Sequence, residues 1–144
     1  MIECRIVPYN VPDFTHCAAI RMEVFVQEQG VPPELEMDDL DAAATHVLAL
    51  LDGDPVGTGR LIRGEPGHAK IGRMAVLKPL RGRGIGGEIL NALMRHAAAI
   101  GIHEVSLSAQ LHALPFYERF GFVAEGDIFL DAGIEHRTMR RSVS

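Results

Sequence analysis

Four glycines and two arginines crowd the stretch Arg81-Gly82-Arg83-Gly84-Ile85-Gly86-Gly87, which opens directly onto a long amphipathic segment. Residues without Cβ let successive backbone N–H groups converge on one concavity. A helix starting there adds its unpaired first-turn N–H groups and the positive end of its dipole. The chemistry this suits is the seating of a phosphate or pyrophosphate. The Walker A pattern G-x-x-x-x-G-K-[ST] is absent, because no glycine here is followed by lysine and a hydroxyl residue. Gly82-x-Gly84-x-x-Gly87 does match the dinucleotide pattern G-x-G-x-x-G. A dinucleotide domain needs a second βαβ half, however, and only 57 residues follow Gly87 (144 − 87). The acid such a domain requires should also close the next strand, whereas Glu104 opens it.

A second chemical cluster follows downstream in Ala113-x-x-Phe116-Tyr117-x-x-x-Gly121-Phe122. In this order, Met74-Ala75-Val76, Arg81-x-x-Gly84-x-Gly86 and the 113–122 cluster resemble the cofactor motifs of the GNAT superfamily of acetyl-CoA-dependent N-acetyltransferases. The resemblance covers roughly the second half of the chain. It implies that the backbone of Arg81, Gly82, Arg83, Gly84, Ile85, Gly86 and Gly87 holds the pyrophosphate of acetyl-CoA, the acetyl donor. It further implies that Met74, Ala75 and Val76 turn backbone groups toward the thioester arm. Gln110, where many relatives have Asn, would contact the pantetheine, and Tyr117 would lie near the sulfur. Arg21-x-x-x-Phe25-Val26-x-Glu28-Gln29, Asp38-x-x-Asp41, His46 and Gly133-Ile134-x-His136 are similar to the ElaA-like branch of that superfamily. They imply an acceptor site containing Arg21, Phe25, Glu28, Asp38, Asp41 and His136.

Acetyl transfer to an amine has definite requirements. A free amine of pKa about 10.4 is neutral only about once in 10³ at pH 7, so a base must take its proton. Glu28, His46 and His136 are the candidates, with a bound water as the alternative. The departing thiolate, whose acid has pKa about 8.5, needs a donor, and a phenol of pKa about 10 can serve. Tyr117 therefore reads either as the catalytic acid or as a core ring beside Phe116 and Phe120. Arg81 and Arg83 read as phosphate partners or as ordinary surface cations. A non-catalytic module that senses acetyl-CoA would need the glycine loop but neither Tyr117 nor an acceptor pocket. An oxidoreductase would bind NAD in its place.

Glu34-Leu35-Glu36-Met37-Asp38-Asp39-Leu40-Asp41 puts five carboxylates into eight positions. A calcium loop would need a central glycine and a glutamate at its twelfth position, and has neither here. The run reads either as a solvated loop or as a negatively charged mouth that draws in a cationic amine, small molecule or peptide. The net charge of −5 argues against nucleic acid as the partner. The longest apolar run, Val47-Leu48-Ala49-Leu50-Leu51, is too short to span a bilayer, and no signal-peptide pattern occurs, so the expected location is the cytoplasm. The seven histidines and two cysteines show no metal-ligand spacing, so no metal is expected. A homodimer stays open.

These groups need a scaffold, and 144 residues supply one domain. Alternation or apolar runs predict strands over 3–9, 46–51, 56–62, 69–77, 104–108, 122–125 and 135–143. Helical periodicity predicts helices over 14–29, 85–100 and 114–120, with Asn10-Val11-Pro12-Asp13 opening the first and Gly101 stopping the second. Strand, crossover helix, strand around the glycine loop demands a parallel pair. With the resemblance, this gives a single α/β GNAT-type domain with a mixed, mostly antiparallel sheet, a parallel pair at the cofactor site and flanking helices.

Overall fold

The apolar run 47–51 has no polar face because the strand it forms is covered on both sides. Val47 and Ala49 enter one core, Leu48 and Leu50 the other. A computed structural model describes residues 1–9 and 12–143; the cap expected at Asn10-Val11 lies outside the described residues. The strands are β1 (Ile2–Val7), β2 (Thr45–Leu51), β3 (Asp54–Arg63), β4 (His68–Val76), β5 (Glu104–Gln110), β6 (Val123–Asp131) and β7 (Ile134–Ser142). The α-helices are α1 (Asp13–Arg21), α2 (Pro33–Glu36), α3 (Ile85–Ala99) and α4 (Leu114–Arg119). The strands form one sheet in the order β1-β2-β3-β4-β5-β7-β6, antiparallel throughout except for the β4–β5 pair.

On one face α3 buries Ile85, Ile89, Leu90, Leu93 and Ala97 against the sheet. Each of these isoleucine and leucine side chains contributes about 1.5–3 kcal/mol on leaving water. Two glycines in β3 set how closely the helix approaches: a Cβ on Gly57 would lie 2.8 Å from Ile89, and one on Gly59 would lie 2.9 Å from Ile89 and Leu93. The opposite face is covered by α1 through Cys17 and Ile20, with Val24 beyond it packing on Val7, Leu48 and Leu50.

The helix expected over 14–29 changes character part-way. After Arg21 the chain continues as a π-helix over Met22–Glu28. Its wider turn carries i+5 bonding, as from the Gln29 N–H to the Val24 carbonyl at 3.1 Å. The stripe of Arg21, Phe25 and Glu28 anticipated at α-helical spacing is therefore split, with Arg21 inside the protein and the other two beside a cavity. The carboxylate-rich segment is not plain loop either: α2 and a 3₁₀ turn over Asp39–Ala43 form a strap. At the other end β6 runs six residues beyond the expected Glu125, with a register break between Glu125 and Phe129. Among the described residues, no helix is long and apolar enough to cross a membrane.

Candidate active site

The parallel pairing of β4 with β5 lasts only from His68↔Glu104 to Ile71↔Leu107. Beyond it β5 continues to Gln110 beside β7, while β4 stays with β3, so the two strands part. A bulge drives the divergence. Thr58 faces Ala75 but Arg60 faces Gly72, which leaves Arg73 and Met74 opposite Gly59 alone. Arg73 holds the left-handed conformation at φ 52°, a region that costs a non-glycine residue roughly 1–3 kcal/mol. Backbone groups of Met74, Ala75 and Val76 that would otherwise pair with β5 thus border an opening.

The glycine loop lies at the end of that opening. Gly82 and Gly84 have φ of 82° and 81°, and Gly84 caps α3 from the left-handed region. The helix therefore starts abruptly, with the first-turn N–H groups of Ile85, Gly86 and Gly87 unpaired within the helix. These residues line a cavity of about 470 Å³ together with Met74, Ala75, Val76, Arg81, Phe116, Tyr117 and Arg119. A second cavity, of about 810 Å³, lies across β4 and includes Phe25, Glu28, Gln110 and His136 in its wall. The two share Met74, Ala75, Val76, Arg81, Ala113 and Tyr117. Positively disposed amides, a small-residue floor and a channel toward β4 fit a phosphate-tailed thioester donor. Arg83 is exposed and its side chain lines neither cavity, while its backbone lies between Gly82 and Gly84 in the loop expected to hold the pyrophosphate. Gln110 lies on the larger cavity, donating to Gln29 Oε1 at 2.9 Å.

Tyr117 stands at the junction, its ring edge-on to Phe116 and Phe122. Burial pushes its phenol up to about 12, so it stays protonated throughout the neutral range. The three base candidates part company here. His46 is corrected: it is buried at 1% exposure, lines neither cavity, and its Nε2 meets the Asp41 carbonyl at 2.9 Å. Burial, outweighing that hydrogen bond, keeps it neutral, and its Nδ1 has no partner. Glu28 faces the larger cavity but is clasped by Arg81 through two bonds of 2.6 and 2.8 Å, which hold its carboxyl below the usual range. His136 also faces that cavity. Its Nδ1 lies 2.7 Å from the Ile134 carbonyl and so carries the proton, leaving the Nε2 lone pair as acceptor.

The acidic mouth is the largest correction. Three of its carboxylates turn inward onto three arginines. Arg21 donates to Glu36 Oε2 at 2.6 Å and to both Asp41 oxygens at 2.8 and 3.2 Å. Arg60 bridges Asp41 at 2.8 Å and grips Asp38 at 2.8 and 2.9 Å. Arg73, from the bulge, reaches Glu36 Oε2 at 3.1 Å and Asp38 at 3.3 Å. Three positive and three negative charges cancel. The hydrogen bonds from Arg60 hold Asp38 below the ordinary carboxylate range; at Asp41 burial pulls upward, but Arg21 and Arg60 prevail and hold it low. Arg21 and Asp41, at 1% and 2% exposure, are walled off from any acceptor, and their expected substrate contacts give way to a structural role. Asp38 is likewise committed to Arg60 and Arg73. Arg60 and Arg73 had one legible signal: each interrupts a strand of small and apolar residues, and a charge there needs a partner.

The chain belongs to the GNAT acetyltransferase family: the family model described as "Acetyltransferase (GNAT) domain" matches residues 10–143. It is 43% identical over 123 residues to the uncharacterized N-acetyltransferase YjcF of Bacillus subtilis, covering 85% of this chain and 87% of that one. Its fold is similar to that of an acyl-CoA N-acyltransferase from Pseudomonas aeruginosa (TM-score 0.87, 30% identity, 98% and 99% of the two chains). It is also similar to Escherichia coli ElaA (TM-score 0.87, 26% identity, 98% and 99%). The protein is an acyltransferase, and its single α/β domain is of the GNAT type.

Proposed function

We propose that the chain moves an acetyl group from acetyl-CoA to a primary amine by direct attack on the thioester. The observation that carries this is the meeting of two cavities along Met74–Val76 and Tyr117. The smaller, with its helix N-terminus, suits the phosphate-bearing donor; the larger suits the acceptor. The amides of Gly82–Gly87 and α3 bind the pyrophosphate, and the parted edge of β4 orients the thioester and offers N–H donors to its carbonyl oxygen. Such a donor is worth roughly 3–4 kcal/mol where charge develops.

An acceptor that arrives as an ammonium first passes one proton through His136 Nε2 to solvent. The neutral amine nitrogen then forms a bond to the acetyl carbon and gives up an N–H proton to His136 Nε2, the carbon–sulfur bond breaks, and the electron pair leaves on sulfur. Tyr117 donates a hydrogen bond to that thiolate. Full proton transfer from a phenol at about 12 to a thiolate whose acid has pKa about 8.5 is uphill by roughly 5 kcal/mol, so Tyr117 stabilises the leaving group and solvent completes its protonation.

Purified protein is to be incubated with acetyl-CoA and a panel of amines, following thiol release and the mass of the product. The expected result is thiol release only when an amine is present, with one acetyl group on its nitrogen. Tight CoA binding without thiol release in any mixture would leave an acetyl-CoA sensor, and tight NAD binding would return the chain to the dinucleotide readings.

A further inference from the structure

The strap over residues 33–43 is turned inside out. Its carboxylates Glu36 and Asp41 are buried, whereas Leu35 and Leu40 are 55% and 52% exposed and line the acceptor cavity. Phe25, Val31, Ile62 and Met74 continue that apolar wall. The charges around the same cavity are spoken for. Arg60, Arg73 and Glu36 belong to the buried network, and Glu28 and Arg81 hold each other. Among the described residues, the lining charges without an ion-pair partner are Lys70 and Asp131. Lys70 lies opposite Ser106 of β5, whereas Asp131 lies opposite Ile134, two residues beyond the His136↔Gln110 pair. Six strand positions separate them, about 20 Å along the strands, so a small acceptor touches at most one.

We infer that the acceptor is a primary amine borne on an apolar body, such as an arylalkyl or branched alkyl amine, rather than a polyamine or an amino acid. This rests on the acetyl-transfer reading above and names the substrate class for that site. A second ammonium would need a free carboxylate near the first, and an amino acid's carboxylate would need a free cation. Recruiting Glu36, Arg60 or Arg73 from the network leaves a former partner buried and uncompensated, and recruiting Glu28 or Arg81 breaks their two-bond ion pair. An apolar body gains instead: each methylene that leaves water against the leucine-lined wall strengthens binding about fourfold. The cavity volume of about 810 Å³ holds a body the size of a phenethyl or isopentyl group with room to spare.

Matched pairs test it. Isopentylamine against leucine differs only by the carboxylate, and pentylamine against putrescine replaces a terminal methyl by an ammonium. With acetyl-CoA in excess, kcat/KM for the apolar member of each pair should be at least about tenfold higher. Leu35→Ser and Leu40→Ser, both exposed and so tolerated by the fold, should lower kcat/KM for phenethylamine several-fold while the KM for acetyl-CoA holds. The same pairs titrated calorimetrically into the protein–CoA complex read the preference independently of turnover. Faster turnover or tighter binding of leucine or putrescine overturns the inference, as does indifference to both leucine variants. Failure to release thiol with every amine counts against acetyl transfer, and the calorimetric order then decides the acceptor class by itself.

Discussion

Between Gly82 and Gly87 the backbone carries the electrostatics; between residues 33 and 43 side chains do. The donor loop exposes amides by having almost nothing on its Cα atoms, and its exposed Arg83 lines neither cavity. The acceptor strap uses carboxylates from Glu36 to Asp41 and spends them on Arg21, Arg60 and Arg73. The first arrangement should tolerate loss of a charge and fail on gain of a Cβ. The second should do the reverse. On the acetyl-transfer reading, the same sheet would thus seat a generic, anionic donor through geometry and shape a particular acceptor pocket through internal pairing.

Breaking the strap should give the largest effect. Asp41→Asn leaves Arg21 and Arg60 facing a neutral amide inside the protein, and such removal typically costs about 3–5 kcal/mol. Denaturant unfolding of the variant should show a midpoint lowered accordingly; a change under about 1 kcal/mol would make the network ornamental. At the border between the two regions, Tyr117→Phe should reduce kcat about 10²-fold with CoA affinity preserved. Single-turnover rates check this, and an unchanged chemical step would return Tyr117 to the core beside Phe116 and Phe122.

On the donor side Gly84→Val forces a β-branched residue to φ 81°, roughly 1–2 kcal/mol of strain concentrated at the helix cap. CoA affinity measured by calorimetry should fall about tenfold or more. Arg83→Ala in the same assay should stay within about twofold, as for an exposed charge. Equal losses in the two variants would erase the contrast drawn here. The smallest expected effect is a pH slope. His46 titrates below its unfolded value near 6.5 because burial disfavours its cation. The unfolded chain therefore binds the proton first, and stability declines as pH falls below about 6.5. His46→Gln should flatten that part of the curve of unfolding free energy against pH, leaving the carboxylate-driven loss below about pH 4 in place.

The sequence made the donor side plain because its chemistry is local. A glycine loop, the strand before it and the helix after it lie within a few residues, so their order shows a strand–helix–strand crossover and its parallel pair, and the motif resemblance names the loop as the expected seat. The acceptor side was opaque for the same physical reason inverted. Arg21 meets Asp41 across 20 positions, and Arg73 meets Asp38 across 35; no periodicity reports such pairs. Asp38 and Asp41 were expected to contact the acceptor, whereas in the structure they pair with arginines of the protein itself. The switch to π-helical turns after Arg21 was equally hidden, since Met22–Glu28 reads as ordinary helix. The bulge at Arg73 left no mark but a charge in a strand.

The clasp between Glu28 and Arg81 has a kinetic consequence. Arg81 borders both cavities and is bonded to Glu28 on one side and, through Nε at 2.9 Å, to the Val76 carbonyl on the other. A phosphate arriving at the glycine loop competes for the same guanidinium, since Arg pairs with phosphate as readily as with carboxylate. With Nε on Val76 and a two-bond grip on Glu28, the guanidinium has only its remaining N–H groups to offer that phosphate, so Glu28 stays clasped while the wall of the larger cavity is tied to the occupant of the smaller. If a seated donor orders this wall, substrates should enter donor before amine, and an unreactive amine mimic should inhibit uncompetitively with respect to acetyl-CoA; competitive inhibition would exclude that order.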